Sequence, residues 1–383
     1  MTLRPQGPIV IAAGGTGGHL FPGQALAQEL RRRGRQIVLI TDERVQRFDA
    51  LFPGADIYSV PSATPNDRGA IGLLKALPAI VSGVVQAFNI LGRVKPSVVI
   101  GFGGYPTLPP LAAAILRRVP TCVHEQNAVL GRVNRLVAPY VLAIASTFAG
   151  PKFLRQKDLP RLVLTGNPVR DAVVAHAASP FSAPHGDSRI ELLIFGGSQG
   201  ARVMSDIVPD ALALLPAELR TRLHVVQQAR AEDIERVREQ YRAAGIDAEL
   251  ETFFDDMPTR IAAAHLVIGR SGASTVAELT VIGRPSVLVP LPHSLDNDQK
   301  ANAQKLQAAG AGVMIEQKDF TAENFGRQLS LLLADGARLE QSAKAALGQG
   351  APDAVRRLAD LVEALGRGEH NTSDPLQLSQ EDR

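Results

Sequence analysis

Glycine-rich loops follow apolar, β-branched runs at two points in this chain, and they are well suited to bind an anion. A run at 8–12 leads into glycines at 14–18, and a run at 190–195 leads into 196–200. Glycine lets the backbone turn tightly and approach a ligand closely, while the helix that follows offers N–H donors and a positive dipole end. Dinucleotide-binding proteins use a similar loop, so the spacing alone leaves the ligand open.

Two side chains at these loops could act in catalysis or binding. His19 directly follows the first loop, and a helix is predicted to begin near Pro22, so the imidazole is a candidate general base beside a phosphate site. Ser198 lies within the second loop, where its hydroxyl could donate to a phosphate oxygen. Both residues suit a reaction of a phosphorylated substrate.

A third loop follows the apolar run 265–269 and combines small residues with one charge of each sign. The small residues at 271–277 open a predicted helix whose N-terminus could hold a diphosphate. Glu278 would repel a diphosphate, so we expect it to accept hydrogen bonds from sugar hydroxyls such as a ribose diol. Together with the nearby Arg270, this combination indicates a nucleotide-sugar.

Two more segments follow predicted strands in the first half of the chain. Residues 101–107 are glycine-rich and present backbone donors, whereas 124–127 form a polar tetrad of His, Glu, Gln and Asn. The carboxyl ends of parallel strands meet at one edge of a sheet, which is where substrate-reading side chains belong. We therefore expect these segments to share a rim with the loop at 14–18.

Charge is distributed unevenly along the chain. The 383 residues carry a net charge of only +3, but basic residues prevail in 1–165 and acidic residues in 166–383. A basic half indicates an anionic partner such as phosphate, nucleic acid or an anionic membrane. The absence of Trp argues against an aromatic-lined nucleic-acid groove. The single cysteine, Cys122, excludes an internal disulfide and fits a small core residue.

An apolar segment at 71–92 lies in the basic half, flanked by Arg68, Arg93 and Lys95. It is either a buried helix or an interfacial patch whose apolar side chains dip into a bilayer beneath a basic rim. Pro78 within it argues against a helix that crosses the bilayer.

Apolar runs alternate with amphipathic segments along the whole chain, which is typical of parallel sheets with helices on both faces. The segment 174–189 has no apolar periodicity and is predicted to be a linker, after which the pattern starts again. The sequence thus predicts an α/β fold of two Rossmann-like, doubly wound domains that face each other across a cleft. The predicted strands are 8–12, 36–41, 56–60, 97–101, 120–124, 140–145, 162–165, 190–195, 222–226, 248–253, 265–269, 286–289 and 312–315.

Seven motifs then stand out in a fixed order. They are GGTGGH at 14–19, GFGGYPT at 101–107, HEQN at 124–127, GNPVR at 166–170, GGSQG at 196–200, RSGASTVAE at 270–278 and DQKANA at 298–303. The set resembles the bacterial N-acetylglucosaminyltransferases of glycosyltransferase family 28, which have the GT-B fold. The resemblance implies an inverting enzyme that moves N-acetylglucosamine from UDP to the 4-hydroxyl of undecaprenyl-diphospho-muramoyl-pentapeptide. It would act in peptidoglycan synthesis, at the cytoplasmic face of the cell membrane.

The resemblance also implies a domain organisation. Residues 1–165 would form an amino-terminal domain that holds the lipid-linked diphosphate acceptor and an anionic membrane surface. Residues 166–350 would hold UDP-N-acetylglucosamine, the helix at 351–366 would cross back to the first domain, and 367–383 would be a disordered tail.

Individual residues receive roles from the same resemblance, with His19 as the candidate base. The implied donor contacts are Thr16, Gly17, Gly18 and Asn127 to the sugar, Arg170, Ser198 and the backbone of Phe254 to the uridine diphosphate, Ala273, Ser274, Thr275, Val276, Ala277 and Glu278 to diphosphate and ribose, and Gln299 to a sugar hydroxyl. The implied acceptor contacts are Gly14, Gly15, Gly103, Gly104 and Tyr105. Asp298 departs from the family pattern and receives no role.

No cofactor is expected, no metal is expected to be obligatory, and no nucleic-acid partner is expected. Asp296, Asn297 and Asp298 match the DxD metal motif of other glycosyltransferases, but they precede a helical run at 298–309, where Asp and Asn are ordinary caps. Three alternatives stay open on the residues: a UDP-sugar epimerase of the same fold, a Rossmann-type dehydrogenase, and a membrane-associated scaffold that binds no UDP.

Overall fold

The chain folds into two compact units. Their boundaries come from a computed structural model that describes residues 7–14, 17–42, 52–63, 70–197 and 201–369. The first unit runs to Arg170 and resumes at Asp353, and the second unit comprises Asp171–Pro352.

Each unit is built on a parallel β-sheet. The first sheet contains β1 (Ile9–Ala12), β2 (Ile37–Thr41), β3 (Asp56–Ser59), β4 (Val98–Gly101), β5 (Thr121–Glu125), β6 (Ala143–Ser146) and β7 (Leu162–Leu164), and the second contains β8 (Ile190–Phe195), β9 (Leu223–Gln228), β10 (Asp247–Glu251), β11 (Leu266–Gly269), β12 (Ser286–Leu288) and β13 (Gly312–Met314). Their orders are β3-β2-β1-β4-β5-β6-β7 and β10-β9-β8-β11-β12-β13. In both, the strand order reverses beside the first strand of the unit, which is where doubly wound sheets bind ligands.

Helices alternate with these strands. The α-helices are α1 (Gly17–Arg32), α2 (Ala70–Val94), α3 (Leu108–Leu116), α4 (Arg132–Val137), α5 (Asp171–Val174), α6 (Arg202–Ala213), α7 (Ala217–Arg220), α8 (Ile234–Ala243), α9 (Met257–Ala263), α10 (Ala273–Ile282), α11 (Asp298–Ala308), α12 (Ala322–Ala334), α13 (Gly336–Leu347) and α14 (Ala354–Arg367). The predicted α/β fold with two doubly wound sheets is confirmed, and every predicted strand overlaps a strand of the structure.

Both faces of the first sheet are covered, which is why its strands are apolar throughout. Ile9 and Ile11 of β1 pack on the side of α1 and α14, whereas Val10 packs on the side of α2, α3 and α4. This alternation follows from the twofold period of a strand. Cys122 of β5 is fully buried, and burial raises the pKa of its thiol to about 12, so it is the core residue that the sequence indicated.

The final helix, α14, belongs to the first unit, as the resemblance implied. Leu358 and Val362 are fully buried in the core on the side of α1. Arg33 at the end of α1 donates to Asp360 at 2.5 Å and to Glu363 at 3.0 Å. An apolar face and an ion-pair cluster therefore hold the carboxy-terminal helix to the amino-terminal sheet.

Two boundaries differ from the sequence prediction. Residues 166–170 belong to the first unit, where the Gly166 carbonyl accepts a hydrogen bond from His124. The expected linker at 174–189 is part of the second unit, since Ala183 is buried in its core and the Ala178 N–H donates to the Val281 carbonyl. These contacts use scattered small residues, which leave no apolar period in the sequence. The predicted tail begins near the end of α14, and residues 370–383 lie outside the described part of the chain.

The packing of α14 gives a stability prediction. Leu358→Ala should lower the free energy of unfolding by about 2–5 kcal/mol, because it leaves a cavity in the core. Leu116→Ala is the matched control, since that leucine ends α3 in the same unit and is 66% exposed; its effect should stay within about 0.5 kcal/mol. Urea unfolding measures both, and equal effects would contradict the assignment of α14 to this core.

Candidate functional site

Glycine-rich loops at the carboxyl edge of the first sheet pack too closely for larger residues. A methyl group on Gly14, after β1, would lie 2.9 Å from Cβ of Pro106 and 3.0 Å from Oγ1 of Thr41. Pro106 belongs to the short 3₁₀ turn Tyr105–Thr107 that follows β4. The predicted acceptor residues Gly14 and Tyr105 are therefore brought to one edge, whereas Gly15 and Thr16 lie outside the described residues.

His19 contacts this edge directly. Gly103 and Gly104 have φ of 86° and 76°, a left-handed backbone that favours glycine. A methyl group on Gly103 would lie 3.5 Å from Nε2 of His19, and one on Gly104 would lie 3.4 Å from Cε1 of the same ring. The imidazole thus rests on the Gly103–Gly104 turn, so the candidate base and the candidate acceptor loop share one location.

The electrostatic environment of His19 keeps its imidazole neutral. Burial lowers the pKa of His19 to about 4, because an imidazolium in this position loses its hydration. A neutral ring at physiological pH can accept a proton. The ring is therefore neutral, as a general base must be, and a pKa this low makes it a weak proton acceptor until a nearby anion raises that pKa.

Helix α1 begins at Gly17, five residues before the predicted start near Pro22. Glycine has a low helix propensity, so residue types alone do not indicate this first turn. A methyl group on Gly17 would lie 3.0 Å from Cε2 of Phe21, so glycine gives this turn a close approach to that ring. Gly17, Gly18 and His19 consequently occupy the N-terminal turn, where N–H groups and the helix dipole favour an anion.

Arg170 lies on this same unit rather than on the predicted donor domain. Its guanidinium carbon is 5.0 Å from the centroid of the Phe21 ring, a cation–π contact with α1. The division of the chain after Arg170 places it with the first sheet. The sequence could not show to which unit Arg170 belongs, because the apolar pattern of the preceding strand is the same in the last strand of one unit and the first strand of the next.

The HEQN tetrad differs from its prediction as a substrate-reading set. His124, Glu125 and Gln126 are all buried, and Asn127 alone is half-buried at the edge. Sequence patterns place a side chain at the end of a strand but do not reveal whether it points inward. The first three residues of the tetrad therefore build the loop, and Asn127 is the member placed to meet a ligand.

His124 and Gln126 form a neutral buried network. Nε2 of His124 donates to the Gly166 carbonyl at 2.9 Å, and its Nδ1 accepts from Nε2 of Gln126 at 3.0 Å. Gln126 also donates to the Phe102 carbonyl at 3.0 Å. Burial lowers the pKa of His124 to about 4, so the ring stays neutral and ties β5 to the segment that leads to Arg170.

In the second unit, the residues predicted to hold diphosphate and ribose form the start of α10. Gly272 is the extended N-cap, and Ala273, Ser274, Thr275, Val276, Ala277 and Glu278 follow it in the helix. Among the residues that the structure describes, none makes a hydrogen bond to the buried Oγ of Ser274, which suits a hydroxyl that meets a ligand. Glu278 is buried one turn further on.

Gln299 lies beside the start of α10, as its predicted role requires. Oγ of Ser271 donates to the Gln299 carbonyl at 2.8 Å, and Nδ2 of Asn302 donates to the Ser271 carbonyl at 3.1 Å. These two bonds dock the first turn of α11 against the loop before α10. Oε1 of Gln299 accepts from the Leu291 N–H at 3.0 Å, which leaves the amide nitrogen to donate to a ligand.

Arg270 points away from this helix start, contrary to the sequence interpretation. Its guanidinium is buried and donates to the carbonyls of Val289 and Pro290 at 3.0 and 3.1 Å. It also donates to Oε1 of Gln317 at 2.7 Å. Arg270 therefore fixes the backbone after β12 instead of meeting a phosphate.

Phe254 lies in the loop after β10, and its side chain is buried. The guanidinium of Arg260 is 4.2 Å from its ring centroid, and Nε2 of Gln228 holds the loop by donating to the Thr252 carbonyl at 3.1 Å. A fixed backbone here is compatible with the predicted backbone contact. Ser198 lies outside the described residues.

The acidic residues before α11 behave as turn and cap residues. Asp296 and Asn297 have φ of 55° and 56°, and α11 begins at Asp298. Oδ1 of Asp298 accepts from the Gln299 N–H at 2.7 Å, and burial raises the pKa of the Asp298 carboxyl. In the part of the chain that the structure describes, no three His, Cys, Asp or Glu side chains are grouped to hold a metal ion.

Helix α2 has one packed face and one exposed face. Ala87, Ile90 and Leu91 are buried against the first sheet. The exposed face carries Val81 and Val85, which are 52% and 55% exposed, so the alternative of a wholly buried helix is wrong. The stretch Ala76–Val94 is long and apolar enough to cross a membrane by length and composition alone, and 22% of its apolar window is buried.

Comparison with known proteins identifies the class that this fold and site define. The chain matches the N-terminal domain of glycosyltransferase family 28 over residues 9–146 and the C-terminal domain of that family over residues 191–358. The chain belongs to glycosyltransferase family 28.

Curated relatives are similar over almost their whole length. One from Chelativorans sp. (strain BNC1) is 50% identical and one from Methylobacterium nodulans is 53% identical, covering 94% and 92% of this chain and 96% and 95% of the relatives. Both are named UDP-N-acetylglucosamine–N-acetylmuramyl-(pentapeptide) pyrophosphoryl-undecaprenol N-acetylglucosamine transferase. The crystal structure of MurG from Acinetobacter baumannii superposes with a TM-score of 0.76 at 27% identity, covering 94% of this chain and 99% of that one.

The neutral state of His124 gives a pH prediction. Its pKa is about 4 in the folded chain and about 6.5 when unfolded, so its stabilising effect is complete above pH 6.5 and is lost as the pH falls towards 4. Between pH 7.5 and pH 5 the free energy of unfolding should fall by about 2 kcal/mol more in the wild type than in His124→Gln. Urea unfolding at both pH values measures this difference, and identical pH dependence in the two proteins would contradict it.

Proposed function

We propose that this chain transfers N-acetylglucosamine from UDP-N-acetylglucosamine to the 4-hydroxyl of the muramoyl sugar in undecaprenyl-diphospho-muramoyl-pentapeptide. Identity of 50% or more with transferases of that name, over more than nine-tenths of the chain, carries this proposal. The reaction makes the disaccharide precursor of peptidoglycan, and thereby serves growth, shape and division of the cell.

The donor belongs to the second unit in this proposal. The start of α10 supplies main-chain N–H groups and the Ser274 hydroxyl to the diphosphate. Glu278 accepts from the ribose hydroxyls, and the Gln299 amide donates to a hydroxyl of the N-acetylglucosamine ring. The Phe254 backbone, Ser198 and Arg170 are the proposed contacts of the uridine diphosphate by motif.

The acceptor belongs to the first unit. Gly14, Gly103 and Gly104 bring bare backbone to the edge beside the N-terminus of α1, where an anionic diphosphate is favoured. Tyr105 adjoins them, and Gly15 is assigned to the same group by motif. Gly17, Gly18 and Asn127, together with Thr16, stay the proposed contacts of the donor sugar.

His19 is the proposed general base of an inverting displacement. The acceptor hydroxyl loses its proton to the imidazole while its oxygen attacks the anomeric carbon, and the bond to the UDP oxygen breaks on the opposite face. An acceptor diphosphate near the ring raises the pKa of His19 from about 4 towards neutrality, because it stabilises the imidazolium. The charge that develops on UDP is stabilised by fixed N–H dipoles, without an obligatory metal.

The chain works at the cytoplasmic face of the membrane in this proposal, because its lipid-linked acceptor is anchored there. The exposed face of α2 supplies apolar contact area, and Arg117 at the end of the neighbouring α3 lies 3.8 Å from the Phe88 ring centroid as a basic group beside it. Apolar side chains at the acyl boundary with basic groups at the headgroups give peripheral binding.

The epimerase, dehydrogenase and scaffold alternatives fail to account for the relatives' shared name. A labelled transfer assay tests the proposal and separates these classes. Label should pass from UDP-N-acetylglucosamine to a short-chain lipid acceptor, equally with and without EDTA. Conversion of free UDP-N-acetylglucosamine without acceptor would instead indicate an epimerase. A protein that does not bind UDP would indicate a scaffold.

The role of His19 gives a kinetic prediction. His19→Ala should lower kcat by about 10²–10⁴-fold, the usual contribution of a general base, while UDP affinity is unchanged. His185→Ala, at an exposed histidine of the second unit, is the matched control and should keep wild-type turnover. Wild-type kcat in the purified His19→Ala protein would show that another group takes the proton.

Membrane association gives a second prediction for this function. Replacing Val81 and Val85 by Glu should abolish co-sedimentation with vesicles of phosphatidylglycerol and phosphatidylcholine, because it puts carboxylates into the acyl boundary. Leu331→Glu changes a leucine of α12 that is 64% exposed, and should leave binding intact. Equal binding of the wild type, the double variant and Leu331→Glu would show that α2 is not the membrane contact.

A further inference from the structure

Glu125 ends β5 with a buried carboxylate that is surrounded by hydrogen-bond donors. Oε1 accepts from the Asn127 backbone N–H at 3.0 Å. Oε2 accepts from the Gly131 backbone N–H at 2.7 Å and from Nδ2 of Asn134 at 2.8 Å. Burial raises the pKa of the Glu125 carboxyl, and these hydrogen bonds lower it. Because each partner donates, the bonds favour the ionised carboxylate, whereas a protonated acid would set an O–H against an N–H.

These donors lie at three separate points of the segment that joins β5 to α4. Asn127 begins the loop, Gly131 is the N-cap of α4, and Asn134 lies in the first turn of that helix. One side chain therefore fixes the start of the loop, its end and the helix that follows. A carboxylate also suits the N-terminus of a helix electrostatically.

We call the hydrogen bonds of Glu125 to Asn127, Gly131 and Asn134 the Glu125 clamp. Its member Asn134 lies near the candidate base, His19. A methyl group on Gly103 would lie 3.5 Å from Nδ2 of Asn134 and also 3.5 Å from Nε2 of His19. Asn134 and the imidazole thus both border the space where a Cβ of Gly103 would stand. A shift of Asn134 would free that turn to move relative to His19.

We propose that Glu125 is a positioning residue for the transfer reaction, holding Asn127 and the Gly103 turn in the geometry that turnover requires. It touches no substrate in this role and moves no proton; it acts through Asn127 and through Asn134. The inference rests on the transferase function proposed above, and deepens it by assigning the buried acid of the tetrad.

Glu125→Gln is the first test. The variant keeps the size of the side chain but sets an amide NH₂ against one of the N–H donors, so the loop loses part of its anchorage. We expect kcat to fall about 10²-fold, the size of effect that a displacement of about 1 Å produces. The affinity for UDP alone should be unchanged, because Asn127 is a proposed contact of the donor sugar and not of the nucleotide. Hydrogen–deuterium exchange should quicken in the peptide covering 127–134 and not in the strands of either sheet.

Asp158→Asn is the matched control. Asp158 is a buried carboxylate of the same unit, 1% exposed, and it pairs with Arg155 and Arg161 away from the tetrad. This variant should lose stability but keep the kcat of the wild type per folded molecule. A Glu125→Gln protein that likewise lost stability and kept kcat would overturn the proposal.

If Glu125→Gln does not fold, Asn134→Ala tests the same set of hydrogen bonds. Its loss of kcat should be smaller than that of Glu125→Gln, and the double variant should lose no more than Glu125→Gln alone, because the two residues act as one unit. Wild-type kcat in Asn134→Ala would sink the proposal. Failure of the wild type itself to transfer sugar would instead overturn the proposed function.

Discussion

In each unit, main-chain N–H groups are exposed to a ligand at the carboxyl edge of the parallel sheet. The rest of each unit depends on this arrangement. Parallel strands end at one edge, and the helices that follow them begin there, so N–H groups and helix dipoles converge without any charged side chain. Gly14 allows this in the first unit because a Cβ there would lie 2.9 Å from Cβ of Pro106, and Gly103 allows it because its φ is 86°. In the second unit the start of α10 supplies the same chemistry.

Buried polar side chains hold the backbone of these loops in place through hydrogen bonds. His124 ties β5 to the segment before Arg170, Arg270 holds the chain after β12, and the Ser271 hydroxyl docks α11 beside α10. Each group is hydrogen-bonded to carbonyls or amides of the neighbouring backbone and side chains. A site prepared in this way needs little reorganisation when charge develops on a leaving diphosphate, which is the basis of electrostatic catalysis.

The sequence predicted the sheets well because their strands are buried on both faces and read as continuous apolar runs. It also located the loops that carry His19 and Glu278. It could not predict the first turn of α1, since Gly17 and Gly18 have low helix propensity, and the position of Gly17 beside the Phe21 ring is a feature of the folded chain. Nor could it tell that Glu125 and Arg270 point inward, because strand periodicity is lost where a strand ends.

In the proposed function, UDP binds through main-chain donors and Glu278, and a double-mutant cycle can measure that binding. Calorimetry would compare UDP with 2′-deoxy-UDP on the wild type and on Glu278→Ala, with EDTA present throughout. We expect the deoxy nucleotide to bind about tenfold more weakly to the wild type, the value of one hydrogen bond to a charged group, and Glu278→Ala to bind the two nucleotides equally. Additive losses from the two changes, or no UDP binding in EDTA, would contradict it.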